Sequence, residues 1–452
     1  MIKTPPPPGP IRNVSFPEVP KDSLDNGLRV LTVKNRGIPK IWLRLAISSG
    51  GKVDAPFERL ALAPLTLEMV EHGTRSRSAQ QLAREQDRWA IHYKADARLE
   101  YSLLQMDFLK SAVEPALDQL SEMLMAPAFD EGEIERVRAR WHSLLSAQRS
   151  MPRYLADDQM HNALFPDHPY CKKCLRPEHL KGLGSHELTR FHARHYGPSR
   201  ATLLLAGDID QEEGLELARR YFGQWKAEPV ASPDFPDLGE PSQGRVSLIH
   251  RPHSTQTRLL IGGRTFARNH PHTRVLRMVS QVLGGGASAR LFLNLREAKG
   301  YTYGIYSEMN GFKRDGLLTM GADIRSDALI ESIEEIFAEC RRMAREPVGQ
   351  EELQRARAEV IGAFIAQLEA PATIAMLELL RDFYGLPEDH FERYIPEVQG
   401  VSAEEIQEAA ARYLDPARYH IVVVADRRQV EEDLKRFGPV TVYDKSGNQI
   451  ES

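Results

Sequence analysis

The sequence predicts an α+β fold built from two similar halves, each a mainly antiparallel sheet packed with helices, and three observations carry that prediction. Strand-like runs joined by short turns alternate with helical runs in both halves, which favours this class over a doubly wound parallel sheet. The stretch Ala227–Gly244 concentrates Pro, Gly, Ser and acid without apolar periodicity and divides the chain near its middle. Segments of the first half also return in the second. Glu133-Ile134-Glu135-Arg136-Val137-Arg138-Ala139 is matched 219 residues later by Glu352-Leu353-Gln354-Arg355-Ala356-Arg357-Ala358. Tyr196-Gly197-Pro198-Ser199-Arg200 and its apolar strand are matched by Tyr413-Leu414-Asp415-Pro416-Ala417-Arg418 and Ile421–Ala425. Two matches in one order at nearly one offset mark a duplicated domain, placed at residues 1–226 and 246–452 with a linker at 227–245.

In the first half, Leu28–Val33 follows the turn Asp25-Asn26-Gly27 as a strand, Ile41–Ser48 is a second, and a helix follows near Leu60–Glu71. Ser78–Trp89 is a helix with Ser78 as N-cap, Tyr101–Phe108 alternates as a strand, and Ala112–Leu124 has helical apolar spacing. Helices Glu131–Gln148 and Ser185–His195 precede the closing strand Ala201–Gly207. The second half repeats the plan: strand Leu259–Gly262, helix His272–Leu283, a Gly-rich turn, helix Ala289–Lys299, and strands Tyr303–Asn310 and Gly316–Ala322. Helices Ala328–Arg345 and Gly349–Leu368 and the closing strand Tyr419–Ala425 complete it.

Bulk properties narrow the function. The 452 residues suit two domains of about 200 residues, each with its own core. A net charge of −4 offers no basic excess to neutralise phosphates, so nucleic acid is not an expected partner. Apolar runs such as Ala201–Ala206 fall far short of the ~18–20 residues that span a bilayer, and no membrane span is expected. The N-terminus lacks an apolar signal region; the chain as given reads cytoplasmic, or periplasmic if a signal peptide was removed. Among three cysteines, Cys171 and Cys174 form a C-x-x-C with His168 and His179 nearby, a spacing that could serve a redox pair or zinc. No second C-x-x-C accompanies it, and two free thiols in a loop is the favoured reading.

The most informative stretch runs Gly284-Gly285-Gly286-Ala287-Ser288-Ala289-Arg290-Leu291-Phe292-Leu293-Asn294-Leu295-Arg296-Glu297-Ala298-Lys299-Gly300-Tyr301-Thr302-Tyr303-Gly304-Ile305-Tyr306. It resembles the second-half signature of the pitrilysin-like (M16) zinc peptidases, in which an Arg and a Tyr seven residues apart grip the substrate at the scissile bond. The resemblance covers nearly the whole chain after residue ~20 and implies that Arg296 and Tyr303 are those residues, with Gly284, Gly285 and Gly286 in a flexible loop that lets peptide backbone pass. No Lys-Ser/Thr follows the glycines, so a phosphate loop is not indicated.

The family's first half carries His-x-x-Glu-His, two zinc-binding histidines on one helical face with a Glu that activates water. That string is absent here. The corresponding stretch is Ala61-Leu62-Ala63-Pro64-Leu65-Thr66-Leu67-Glu68-Met69-Val70-Glu71-His72-Gly73-Thr74; counting back from Gly73-Thr74 puts Pro64 and Glu68 in the histidine slots and Leu67 in the Glu slot. Reading Glu68-Met69-Val70-Glu71-His72 as the motif shifts the helix by a turn against Gly73-Thr74 and is rejected. The third-ligand slot falls at Leu144, or at Gln148 in the shifted register. Pro64 is tolerable only in a first helical turn, where its missing N–H has no intrahelical partner. The pairs His192/His195, His250/His253 and His270/His272 are read as packing or loop residues rather than a catalytic metal site.

Family members either carry both half-sites on one long chain or split them between two chains of about this length. The resemblance therefore implies a zinc-free substrate-binding or regulatory subunit, with zinc held by a separate His-x-x-Glu-His partner and a peptide as substrate. The alternative expectation is a noncatalytic scaffold or binding protein derived from such a peptidase.

Overall fold

The computed structural model describes residues 16–17, 19–227, 237–239 and 244–450, so most of the 227–245 linker assignment lies outside the described residues. The first half contains strands β1 (Lys21–Ser23), β2 (Arg29–Lys34), β3 (Lys40–Ile47), β4 (His92–Ala97), β5 (Ser102–Leu109) and β6 (Ala201–Gly207). Its helices are α1 (Leu62–Met69), α2 (Ala79–Trp89), α3 (Val113–Met125), α4 (Glu131–Gln148), α5 (Pro152–Leu164), α6 (Ser185–His195) and α7 (Gln211–Phe222). The second half contains strands β7 (Val246–His250), β8 (Gln256–Arg264), β9 (Thr302–Gly311), β10 (Gly316–Arg325), β11 (His420–Ala425) and β12 (Val440–Tyr443). Helix α8 (Thr273–Gly284) precedes a π-helix at Phe292–Ala298; then come α9 (Leu329–Arg345), α10 (Gln350–Gln367), α11 (Pro371–Phe383), α12 (Tyr394–Gly400), α13 (Ala403–Tyr413) and α14 (Arg427–Leu434).

Local chemistry accounts for the boundaries that the sequence announces. Ser78 Oγ accepts the Gln81 N–H while Gln81 Oε1 accepts the Ser78 N–H, a reciprocal cap that starts α2. Asp130 caps α4 by accepting the Glu133 N–H at 3.0 Å. No single helix among the described residues is long and apolar enough to cross a membrane.

The two sheets share one plan. Their strand orders are β1-β2-β6-β3-β5-β4 and β12-β7-β11-β8-β10-β9. Within each, β2/β6 and β7/β11 pair in parallel, whereas β6/β3/β5/β4 and β11/β8/β10/β9 are antiparallel throughout. The duplication breaks only at the outer strand, where β1 joins β2 antiparallel and β12 joins β7 in parallel.

Each sheet is buried on both faces, and the halves supply each other's cover. Leu43, Leu45, Met106 and Leu205 point to the first half's own helices, while the alternate positions Leu31, Val33, Leu103 and Leu204 pack against Ile374, Ala375, Leu379 and Phe383 of α11. Reciprocally, Ile249, Leu260, Leu317, Val422 and Val424 of the second sheet pack against Leu155, Ala156, Met160 and Leu164 of α5. Burial of each large apolar side chain contributes roughly 1.5–3 kcal/mol, so the exchanged helices bind the halves together firmly. This two-sided burial explains why β6 and β11 read as unbroken apolar runs.

Candidate functional site

The degenerate metal slots do gather at one place, against the β4 edge of the first sheet. A cleft of about 470 Å³ is lined by Pro64, Leu67, Glu68, Glu71, Trp141 and Leu144, among others. Pro64 is the third residue of α1, within the first turn, where its lack of an N–H costs nothing. Leu67 is buried in the core, and Leu144 stands half exposed at the rim. The shifted register fails structurally as well: α1 stops at Met69, so Glu71 and His72 lie past its end.

These residues do not fit a catalytic zinc, which takes three protein ligands with nitrogen, sulfur or carboxylate donors. The side chains of Pro64, Leu67 and Leu144 carry no donor, and the one carboxylate among the four slots, Glu68, is already engaged. Glu68 Oε2 accepts the Trp141 indole N–H at 2.6 Å, and its Oε1 pairs with the Arg140 guanidinium. A fixed cation thus sits where the carboxylate would otherwise seek one. Neither Arg140 nor Trp141 is visible from the motif, because both come from α4, more than seventy positions along the chain. Among the described residues, no group of three or more His, Cys, Asp or Glu side chains is arranged to hold a metal.

The second half places Arg296 and Tyr303 together, against the corresponding edge strand β9. The expected helix Ala289–Lys299 becomes a π-helix over Phe292–Ala298, a widened turn often found at functional sites. It carries the Arg296 guanidinium between two aromatic rings, 4.7 Å from the Phe292 centroid and 5.3 Å from that of Tyr303, in cation–π contact with both. Arg296 Nε also lies 3.5 Å from Glu297 Oε1. Tyr303 is 91% exposed, so its hydroxyl is free to meet a ligand.

A β-bulge aims Tyr303. Ala322 of β10 faces Ile305 and Ile324 faces Thr302, so Tyr303 and Gly304 together oppose Asp323 alone. Thr302 Oγ1 holds this irregularity: it accepts the Gly304 N–H at 3.2 Å and lies 2.7 Å from the Asp323 carbonyl and 2.9 Å from that of Gly304. Sequence spacing alone could not reveal the bulge, since it depends on the register of β10.

The three glycines divide. Gly284 is the last residue of α8 rather than part of a loop; a Cβ there would come within 2.7 Å of the Ser307 backbone nitrogen, so its bareness lets α8 lie against β9. Gly286 faces open space. In chemical terms the site offers a phenol O–H to a carbonyl oxygen that gains negative charge, and a planar guanidinium to a main-chain carbonyl or carboxylate.

The other candidates are packing residues. His192 stacks on Tyr196 at 4.7 Å, and His195 lies tilted against Phe191 at 4.4 Å. His250 Nδ1 accepts the Arg427 N–H, His253 donates its backbone N–H to Asp426, His270 stacks on Phe266, and His272 pairs with the Tyr413 hydroxyl. Cys171 and Cys174 are free thiols, and burial pushes them up to about 11 and about 12.

Comparison with known proteins covers most of the chain. Residues 29–178 match the family model described as insulinase (peptidase family M16), and residues 183–360 match that described as the peptidase M16 inactive domain. An uncharacterized zinc protease of Bacillus subtilis is 24% identical over 346 residues, covering 76% of this chain and 83% of that protein. Another from Mycobacterium bovis is 24% identical over 426 residues, covering 92% and 95%. The crystal structure of a peptidase M16 inactive domain from Pseudomonas fluorescens shares the fold with a TM-score of 0.82 at 22% identity, over 90% of this chain and 98% of the other. A protease from Helicobacter pylori does so with a TM-score of 0.82 at 17% identity, over 90% and 99%. Two models of one family match successive stretches that together span most of the sequence, and the chain belongs to the M16 peptidase family.

Proposed function

We propose that this chain is a zinc-free, substrate-binding and regulatory subunit of a heterodimeric M16 peptidase. In this reading it completes the active site of a His-x-x-Glu-His partner for hydrolysis of a peptide or peptide precursor. The observation that supports it is an asymmetry between the two half-sites. Glu68 is tied to Arg140 and Trp141 among slots without donors, whereas a half-buried Arg296 stands preassembled against an exposed Tyr303. A pure scaffold gains nothing from a pre-aimed Arg/Tyr pair.

Within the complex the partner's zinc supplies the activated water. This chain's Tyr303 hydroxyl donates to the scissile carbonyl oxygen as charge develops there, and Arg296 holds the neighbouring main chain. Co-expression with a His-x-x-Glu-His homologue should yield a 1:1 complex, with zinc in the homologue and none stoichiometric in this chain. Tyr303→Phe should assemble normally and cut turnover by roughly 10²-fold, the scale of losing one oxyanion donor. Arg296→Ala should act alike, with more of its loss in substrate binding. Full activity in both assembled variants would favour the scaffold reading instead.

A further inference from the structure

A second cleft, of about 220 Å³, lies at the far end of β9 from Tyr303. Met309 and Gly311 of β9 form one side, Thr273, Arg274 and Arg277 of the first turns of α8 another, and Arg268 and His390 close it, with Phe391 and Tyr394 as apolar walls. Its charges do not balance. The Arg274 Nε donates to Glu397 at 3.0 Å, but the same carboxylate also serves Arg393 at 2.7 Å, and Asp389 stands beside Arg393. Arg268 and Arg277 have no carboxylate within 4 Å among the described residues, whose ion pairs include neither; Arg268 instead lies over the Tyr384 ring at 4.6 Å. The Arg381–Glu378 pair behind the cleft neutralises itself.

His390 registers the imbalance: burial and then Arg274, Arg268, Arg381 and Arg393 push it down to about 3, so it stays neutral and accepts from Arg274 Nη2 at 2.9 Å. The dipole of α8 adds positive potential rather than offsetting it. Arg277 is exposed and Arg268 half-buried, so both guanidiniums are open to a ligand, and an anion entering the cleft gains charge-assisted hydrogen bonds from the two that have no carboxylate partner.

We propose that the cleft lined by Arg268, Arg274 and Arg277 is a subsite for a carboxylate of an acidic peptide. The apolar walls favour a carboxylate on a hydrocarbon stem over a free inorganic anion. Met309 and Gly311 lie six and eight positions from Tyr303 on one strand, or on the order of 20–25 Å at ~3.3 Å per residue. An extended peptide held at Tyr303 therefore reaches the cleft with a residue about six to eight positions from the gripped bond. The proposal rests on the peptide-binding reading above and narrows it to substrates with an acidic group at that distance.

The test uses the full chain without a partner. A fluorescein-labelled peptide of about twelve residues, with Asp and Glu in its last third and a free C-terminus, is titrated by fluorescence anisotropy against wild type and the Arg268→Gln/Arg277→Gln variant. These two arginines are chosen because Arg274 is paired internally, and circular dichroism melts check that the variant folds. The variant should bind at least about tenfold more weakly, the scale of losing charge-assisted hydrogen bonds. A control with an amidated C-terminus and Asn and Gln in place of the acids should bind both proteins equally weakly. Amidation alone and acid replacement alone assign the effect to the terminal or the side-chain carboxylate.

Binding of the acidic peptide within twofold of wild type by the folded variant overturns the proposal. So does inorganic phosphate that competes at the same concentration as the peptide, which would make this a small-anion site. The two readings separate cleanly: if Tyr303→Phe leaves turnover of the complex untouched while Arg268 and Arg277 still govern acidic-peptide binding, the cleft assignment stands and the peptidase role falls.

Discussion

Replacing Thr302 by Val tests whether the aim of Tyr303 depends on one hydroxyl. The change conserves shape and β-propensity, and the residue is only 8% exposed, so water replaces little of what is lost. Val leaves the Gly304 N–H without its acceptor at 3.2 Å and the Asp323 carbonyl without its donor at 2.7 Å. A buried polar group deprived of its partner costs roughly 1–3 kcal/mol, and the outer edge of β9 gives partial access to water, so a total near 1–3 kcal/mol is expected. Urea unfolding should show a lower midpoint at unchanged slope. Hydrogen exchange should show faster opening of the Gly304 amide, while amides of β8 and β11 exchange more slowly, limited by global unfolding. Thr302→Ser, which keeps the oxygen, should restore Gly304 protection. A Val variant within about 0.5 kcal/mol of wild type, with Gly304 protection intact, would refute the claim that this hydroxyl holds the bulge.

Leu379→Ala, in α11, removes a side chain 1% exposed and should cost about 2–5 kcal/mol through the cavity it leaves. Because Trp42, Trp89, Trp141 and Trp225 all lie in the first half, tryptophan fluorescence should report the loss in a half that does not contain the substitution; an unmoved transition would contradict the exchange of helices. Acid should destabilise the protein between pH 6.5 and about 4. Burial holds His192, His195 and His420 down to about 4 and His161 to about 3. The unfolded chain therefore takes up protons that the folded one refuses, and stability present above pH 6.5 is lost as pH falls. Urea midpoints measured at pH 7 and pH 5 check this, and equal values would count against it. Trp141→Phe should lower stability by about 1 kcal/mol through loss of the indole bond to Glu68, seen as a reduced urea midpoint.

How much of this was legible in the sequence follows from how local each signal is. Helices α4 and α6 were readable to the residue because apolar spacing and end signals sit within the segments themselves. Helices α5 and α11 went unread, although Pro152 and Pro371 at their first positions were available as start signals. Their stripes are masked by buried polar groups: Asp158 between Arg149 and Arg176, His161 on the Tyr170 carbonyl, and Glu378 paired with Arg381. Such partners come from tertiary neighbours or fall within a turn whose burial no periodicity reveals. The lack of ligand atoms at Pro64, Leu67 and Leu144 is plain in the sequence itself, because ligation needs particular atoms and a proline or leucine side chain has none. The Arg140–Glu68–Trp141 cluster and the Tyr303 bulge were not, because each depends on pairing between segments distant in sequence.

The exchange of α5 and α11 has a consequence for how the chain came together. Remove the connection near the middle, and each half becomes a protomer whose sheet has one bare apolar face and one helix reaching out to cover the other's. That is the geometry of an arm-swapped dimer, here held on a single thread. Two separately synthesised pieces, 1–235 and 236–452, would each be poor folders alone but should find one another. The covalent tether supplies a high effective concentration, and its described residues 237–239 also touch the second half, where Arg264 donates to the Leu238 carbonyl. Fusion would have freed the two sheets to diverge, so that the side chains at the β4 and β9 edges could change independently without either half losing the cover that keeps it folded.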